Sequence, residues 1–153
     1  GYYFMMIPAG FMMGNYVARH YSSSKGIHTL IDYGTRISIA GIVLALLLQW
    51  IGLRHPLALF LPISLAIFGN GITLPNAQAG AINEFPAMAG TASGLTGFLQ
   101  MSFSAVAAQI VAVIFNGTLY PMLFLMLFAA TVSLLSFRLF VPSFKAVPLA
   151  VKS

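Results

Sequence analysis

The sequence predicts an all-α, polytopic bundle of five transmembrane helices. Hydrophobic residues make up 59% of the 153 residues, charged residues only 6%, and the mean hydropathy is +0.94. Soluble domains contain about 25% charged residues, so seven Lys/Arg and two Asp/Glu cannot cover a water-facing surface. The lipid bilayer is therefore the expected partner of most of this surface. The apolar runs are also too long and too uniform for the alternating strands of a membrane β-barrel.

Five segments have the roughly 20 mostly apolar residues that a membrane helix needs. They cover residues 1–18, 37–53, 56–82, 89–115 and 119–141. The second and fifth are almost unbroken. The third contains Pro62 and Pro75, which bundled membrane helices tolerate. Because the chain begins inside an apolar run, we expect it to be part of a longer protein whose N-terminal portion is missing here.

The positive charges predict the orientation of these spans. Six of the seven Lys/Arg fall on one side of the predicted bundle, and Arg54 falls on the other. The six are Arg19, Lys25, Arg36, Arg138, Lys145 and Lys152. Since cytoplasmic loops are enriched in Lys and Arg, this side and the C-terminus are predicted to be cytoplasmic. Residues 20–36 are expected to form the longest and most polar loop.

Several classes of function are excluded by what the sequence lacks. The net charge of +5 could suggest nucleic-acid binding, but the basic residues are sparse and separated by apolar runs. The chain has no cysteine, and its three histidines are dispersed, so no metal-ligand spacing is present. No acid–base pair or nucleophile motif is visible. We therefore predict no catalytic residue, no metal, no cofactor and no enzymatic activity.

The third span carries polar residues that need a partner inside the membrane. Asn70, Thr73 and Asn76 lie there, and Thr73 and Asn76 share a stripe of helical spacing. Pro75 cannot donate a hydrogen bond to the carbonyl of Gly71, so a kink or an unwound turn is expected. Discontinuous helices of this kind line transporter substrate sites, which makes the three polar residues candidate substrate contacts. Helix packing alone is the alternative.

The fourth span contains Gln100 near its middle, within a stripe of small and polar residues. A long amide at this depth should face protein or water rather than lipid, so Gln100 is a second candidate substrate contact. Gln109 points to the opposite face, where an interhelical hydrogen bond is expected. Phe4 and Met5 in the first span are candidates for an apolar substrate wall, with interface anchoring as the alternative.

Glycines at four-residue spacing predict close helix packing. Gly10 and Gly14 form one such pair and Gly90 and Gly94 another, with Gly97 on the polar stripe of the fourth span. Small residues let helix backbones approach in the membrane. Packing is therefore the expected role of Gly10, Gly90, Gly94 and Gly97.

Residues 69–101 resemble one family of transporters. Gly69–Gly80 is similar to the tenth helix of major facilitator drug transporters, and Phe85-Pro86 and Ala89–Leu95 follow. Then comes Gly97-Phe98-Leu99-Gln100. This order of motifs resembles the bicyclomycin- and chloramphenicol-resistance group of drug:proton antiporters. The resemblance implies twelve helices in two halves, with this chain supplying helices eight to twelve of a bacterial inner-membrane protein.

The resemblance also implies a mechanism. The expected function is export of small amphipathic molecules by alternating access, with protons as the coupling ion and the proton-binding acids in the missing N-terminal half. Gly14 and Arg19 match the family's cytoplasmic loop motif, but Ala18 stands at its Asp position, so Arg19 receives no gating role. Two alternatives stay open: uptake or export of a metabolite by the same fold, and a structural membrane subunit that transports nothing.

Overall fold

The computed structural model of the chain describes residues 2–52, 55–84 and 86–144, with no account of the side chains of residues 140–144. Sequence features at Gly1, Arg54, Phe85, Lys145 and Lys152 lie outside the described residues. Two short 3-10 helices cover Tyr2–Met5 and Pro86–Met88. The long helices are α1 (Met6–Lys25), α2 (Ile27–Trp50), α3 (Pro56–Glu84), α4 (Ala89–Ile114) and α5 (Tyr120–Phe144).

The predicted fold class is confirmed: the described ranges form a helical bundle without β-strands. Four helical stretches are long and apolar enough to cross a membrane. They are Ile27–Trp50, Pro56–Glu84, Pro86–Ile114 and Tyr120–Leu139. Helix α1 is not among those found in the described part, because its C-terminal half contains Arg19, His20 and Lys25.

The predicted long loop between the first two spans is replaced by helix. Helix α1 continues through Lys25, and α2 begins at Ile27, so Arg19 and Arg36 both lie in helices. Only Gly26 interrupts them, with a φ of 80°. Glycine adopts this left-handed region without the steric penalty of a Cβ, which explains why the break falls there.

Helix α3 is continuous from Pro56 to Glu84, through both Pro62 and Pro75. Of the kink or unwound turn that the sequence predicts at Pro75, the unwound turn therefore does not form. Gly71 instead lies against α1, where a Cβ would come 2.5 Å from the Phe11 carbonyl oxygen. This contact fits a glycine that permits close helix approach.

Helix α3 is the centre of the bundle, with α1 on one side and α2 on another. Glycines remove the side chains that would separate these backbones. A Cβ on Gly41 of α2 would lie 2.6 Å from the Ala66 nitrogen and 2.7 Å from the Pro62 oxygen of α3. On the other side, a Cβ on Gly10 of α1 would lie 2.6 Å from the Ser64 oxygen. Packing at the backbone level therefore holds α1, α2 and α3 together.

Helix α5 packs on α2 and is tied to it near both ends. At one end the Tyr120 hydroxyl donates to the Gln49 carbonyl at 3.1 Å. Leu123, which is fully buried, packs beside this bond in a cluster with Ala45 and Ile63. At the other end, Arg138 meets Asp32. The two helices are thus held at both ends by polar contacts.

Helix α4 differs from the others because none of its residues is buried by the described part of the chain. It contacts α3 and α5, but large apolar side chains such as Phe98, Met101 and Phe103 are 66–73% exposed. In a membrane, lipid or other protein helices would cover this surface.

Asp32 forms ion pairs with two arginines. Its Oδ2 lies 2.8 Å from Nη2 of Arg36, and its Oδ1 lies 3.3 Å from Nε of Arg138. The first pair lies within α2, one helical turn apart, whereas the second joins α2 to α5. Both arginine side chains are about half exposed, so solvent screens the pairs.

We expect Asp32 and Arg138 to show a weak, salt-dependent coupling. A double-mutant cycle of Asp32→Asn and Arg138→Gln should give about 0.5 kcal/mol in the free energy of unfolding at low salt. The coupling should fall towards zero near 1 M salt, where the Debye length is about 3 Å. Unfolding by SDS in mixed micelles, followed by circular dichroism, measures it. A cycle of Asp32→Asn with the exposed Arg19→Gln is the control, and equal coupling in both cycles would contradict the assignment.

Candidate functional site

The polar residues of α3 lie on three sides of the helix, which face α1, then α2 together with α5, and then α4. Asn76 faces α1 and is only 3% exposed. Its Nδ2 donates to the Ile72 carbonyl at 2.7 Å, and its Oδ1 accepts from the Ser22 hydroxyl at 3.0 Å. Both ends of the amide are therefore satisfied within the protein. This placement favours the packing interpretation of Asn76, in which it joins α1 to α3.

Asn70 and Thr73 face α2 and α5 instead. They line a cavity of about 280 Å³ that opens at the surface between α2, α3 and α5. Helix α2 contributes Thr35, Ser38 and Ile42, and α5 contributes Met126, Ala129, Ala130 and Ser133. Two of the predicted substrate contacts thus share a cavity, but Asn76 and Gln100 are not part of it.

Gln100 of α4 lies at the third side of α3. Its Oε1 accepts a hydrogen bond of 3.3 Å from Nε2 of Gln78 on α3, and the contact is exposed. The pair leaves the Gln100 amide nitrogen and the Gln78 oxygen able to bond other groups. An exposed amide pair between two apolar helices needs a protein, water or ligand partner in the membrane.

Phe4 and Met5 lie in the short 3-10 helix that precedes α1, and both are about two-thirds exposed. Neighbouring Tyr3 stacks on Phe60 of α3, with ring centroids 6.1 Å apart. The structure therefore keeps Phe4 and Met5 away from the α2–α3–α5 cavity.

The residues of the predicted loop motif lie on α1. Gly14 is buried against Phe68 and Gly71 of α3, which makes it a packing residue. Arg19 is exposed.

The predicted packing glycines behave differently in different helices. Gly10 lies against the α3 backbone, as described above. At Gly90, Gly94 and Gly97 of α4, an added Cβ would have no atom of a neighbouring helix within 4 Å among the described residues. Their small size has no packing consequence in this part of the chain.

Sequence reasoning missed four residues that shape these sites. Ser22, Ser38 and Gln78 supply partners for predicted polar residues, and Asp32 joins α2 to α5. Their common signal is a polar side chain one or two helical turns from another polar residue. Within the described ranges, no three His, Asp or Glu side chains come close enough together to bind a metal ion.

The chain is similar in sequence to two curated proteins. It is 31% identical to multidrug resistance protein D of Escherichia coli K12 over 112 residues, which are 73% of this chain and 28% of that protein. It is 29% identical to a bicyclomycin resistance protein homolog of Haemophilus influenzae over 142 residues, which are 90% of this chain and 34% of that protein. The chain thus spans about a third of the length of the curated relatives it matches.

No protein-family model and no solved structure matches the chain. The second relative agrees with the motifs of residues 69–101. Its name refers to bicyclomycin resistance, and so does the name of the group that those motifs resemble. The chain is therefore homologous to part of the drug-resistance proteins of the major facilitator superfamily, as its motif order predicts.

Proposed function

We propose that this chain is part of a secondary transporter that exports drugs or other small amphipathic molecules in exchange for protons. The observation that carries the proposal is its similarity to two drug-resistance proteins across most of its length. In the described part of the chain, four helices apolar enough to cross a membrane fit a transporter, and the relatives favour a transporter over an enzyme. Alternating access would move the two halves of the complete protein around a site near the middle of the bilayer.

In this proposal, Gln100 is the substrate contact that the geometry supports best. Its amide is exposed and is bonded to Gln78, on a helix that the described residues leave without a buried position. The open surface of α4 would face the rest of the transporter, so that substrate could pass between them. Asn76 would act indirectly, by fixing α3 against α1 through Ser22.

The proposed coupling ion needs an acidic residue inside the membrane. The chain contains two acids, Asp32 and Glu84. Asp32 is paired with arginines near the start of α2, and Glu84 is the last residue of α3. The proton carrier would therefore lie in the two thirds of the transporter outside this chain. For this reason the N-terminal half is the proposed partner of this chain in proton coupling. The predicted cytoplasmic side is that of Asp32 and Arg138.

We expect Gln100→Leu to impair export in the longer protein that contains this chain. Loss of one substrate hydrogen bond should lower the rate of bicyclomycin transport into everted vesicles about tenfold. Gln109→Leu is the matched control, because Gln109 is an exposed amide on another face of the same helix; its rate should stay within about twofold.

Three outcomes distinguish the alternatives. Transport of bicyclomycin that needs an imposed pH gradient supports drug:proton exchange. A metabolite transporter would move no bicyclomycin yet would still show substrate-dependent proton flux when the correct metabolite is supplied. A structural subunit would show no flux with any solute, and Gln100→Leu would change only the yield of its complex.

A further inference from the structure

We infer that the cavity between α2, α3 and α5 binds an uncharged amphipathic molecule through a polar group that both donates and accepts hydrogen bonds. The cavity is separate from the proposed substrate contact, because Gln100 and Gln78 lie where α3 meets α4. Its volume of about 280 Å³ is just below the roughly 300–1,000 Å³ of typical small-molecule pockets, so the ligand should be small.

The gap exists because α5 is held to α2 at its two ends but carries small residues between them. At one end Tyr120 hydrogen-bonds to α2 and Leu123 packs in the buried cluster, and at the other end Arg138 pairs with Asp32. Between these contacts, Ala129 and Ala130 of α5 leave space opposite α2 and α3. The cavity is therefore part of the helix arrangement.

The polar wall of the cavity offers both acceptors and donors, since the amide nitrogen of Asn70 and the hydroxyl of Ser133 can each donate a hydrogen bond. Thr35 donates its hydroxyl proton to the Ile31 carbonyl at 2.8 Å, and Thr73 donates its proton to the Gly69 carbonyl at 3.0 Å. The single Ser38 proton is shared between the Ala66 carbonyl and Oδ1 of Asn70. Once a hydroxyl has given its proton to the backbone, it can only accept a further hydrogen bond.

This wall determines the chemistry of the ligand. Donors and acceptors surrounded by hydrocarbon need hydrogen-bond partners, since lipid tails provide none. Among the described residues no charged side chain lines the cavity, and Ile42, Met126 and the two alanines form its apolar remainder. A molecule with an apolar body and one hydroxyl or amide group, which both donates and accepts, fits both parts.

The test compares two photoreactive probes on the purified longer protein that contains this chain, in lipid nanodiscs. One probe is an octanol that carries a diazirine, and the other is its methyl ether, which keeps the apolar chain but has no donor. After photolysis, mass spectrometry of peptides locates the labelled residues. We expect the alcohol to label residues around Met126 and Ile42 about tenfold more than the ether does, and excess unlabelled octanol to suppress the labelling.

Variants separate the cavity from general lipid partitioning. Ala130→Phe should fill the space, and Thr73→Val should remove one acceptor without changing the side-chain shape. Each should lower alcohol labelling about tenfold. Thr131→Val is the control for the second variant, because Thr131 makes the same kind of bond to the Leu127 carbonyl at 2.7 Å outside the cavity. Ala105→Phe on exposed α4 is the control for the first.

Either of two results would overturn the inference. Equal labelling by alcohol and ether would mean that the cavity selects no donor. Labelling that is as strong on exposed α4 residues such as Val113 as on the cavity, and is unchanged by Ala130→Phe, would mean that the probe only dissolves in lipid. Circular dichroism of each variant checks that the helices are retained.

Discussion

Gly41→Ala is expected to destabilise the bundle, even though alanine is the better helix former. A Cβ at this position would lie 2.6 Å from the Ala66 nitrogen and 2.7 Å from the Pro62 oxygen, and both atoms belong to the α3 backbone. Backbone cannot rotate away as a long side chain can, so α2 and α3 would have to separate. Overpacking of this kind costs about 1–3 kcal/mol, and we expect the free energy of unfolding to fall by about 2 kcal/mol.

The matched control is Gly94→Ala on α4, where no described atom of another helix lies within 4 Å of the new methyl group. There the gain in helix propensity, up to about 1 kcal/mol, is unopposed. Unfolding by SDS in mixed micelles, followed by circular dichroism, should therefore give effects of opposite sign for the same substitution. If both glycines respond alike, the close approach of α2 to α3 is not a source of stability.

Leu123→Ala is expected to have a similarly large effect on the docking of α5. Leu123 is fully buried in the cluster with Ala45 and Ile63. Lipid is as apolar as leucine, so the loss is mainly one of van der Waals contacts around a new void. We expect about 2 kcal/mol, the lower end of the range for buried leucines.

Leu135→Ala on the same helix is the control, because Leu135 is 53% exposed. It should change the free energy of unfolding by less than about 0.5 kcal/mol. The same detergent titration compares the two variants, and their difference isolates burial from the helix propensity that both share. A cost at Leu135 as large as that at Leu123 would contradict the packing of α5 on α2.

The last three spans could be located from hydropathy alone. Predicted residues 56–82, 89–115 and 119–141 agree within three residues with α3, α4 and α5. The first two helices extend beyond their predicted spans, because hydropathy marks the thickness of hydrocarbon and not the end of backbone hydrogen bonding. Polar residues near Lys25 remain helical in water, and only the conformation of Gly26 breaks the chain.

The candidate site was predicted less completely than the fold. Helical spacing places Thr73 and Asn76 on one stripe, but the stripe does not say which neighbour each residue meets. In the structure Thr73 faces the cavity by α2, whereas Asn76 is buried against α1. A helix surrounded on several sides presents different partners within one turn, so the partner of a polar residue depends on tertiary packing.

Asp32 could not be recognised as a link between helices from the sequence. It lies in a stretch predicted as a polar loop, where a carboxylate can be hydrated and needs no protein partner. Its partner Arg138 is more than a hundred positions away along the chain, and no local pattern connects them. The proximity arises only when α5 returns alongside α2.

The central position of α3 has a consequence for biosynthesis. Helices α1 and α2 contact each other much less than each contacts α3. Before α3 is made, the nascent hairpin around Gly26 lacks the helix of this chain that it contacts most, and its glycine faces towards α3 are uncovered. Stable assembly of α1 and α2 must wait until α3 has been inserted up to Glu84. A pause in translation before that point would therefore expose α1 and α2 to quality-control proteases for longer than a later pause would.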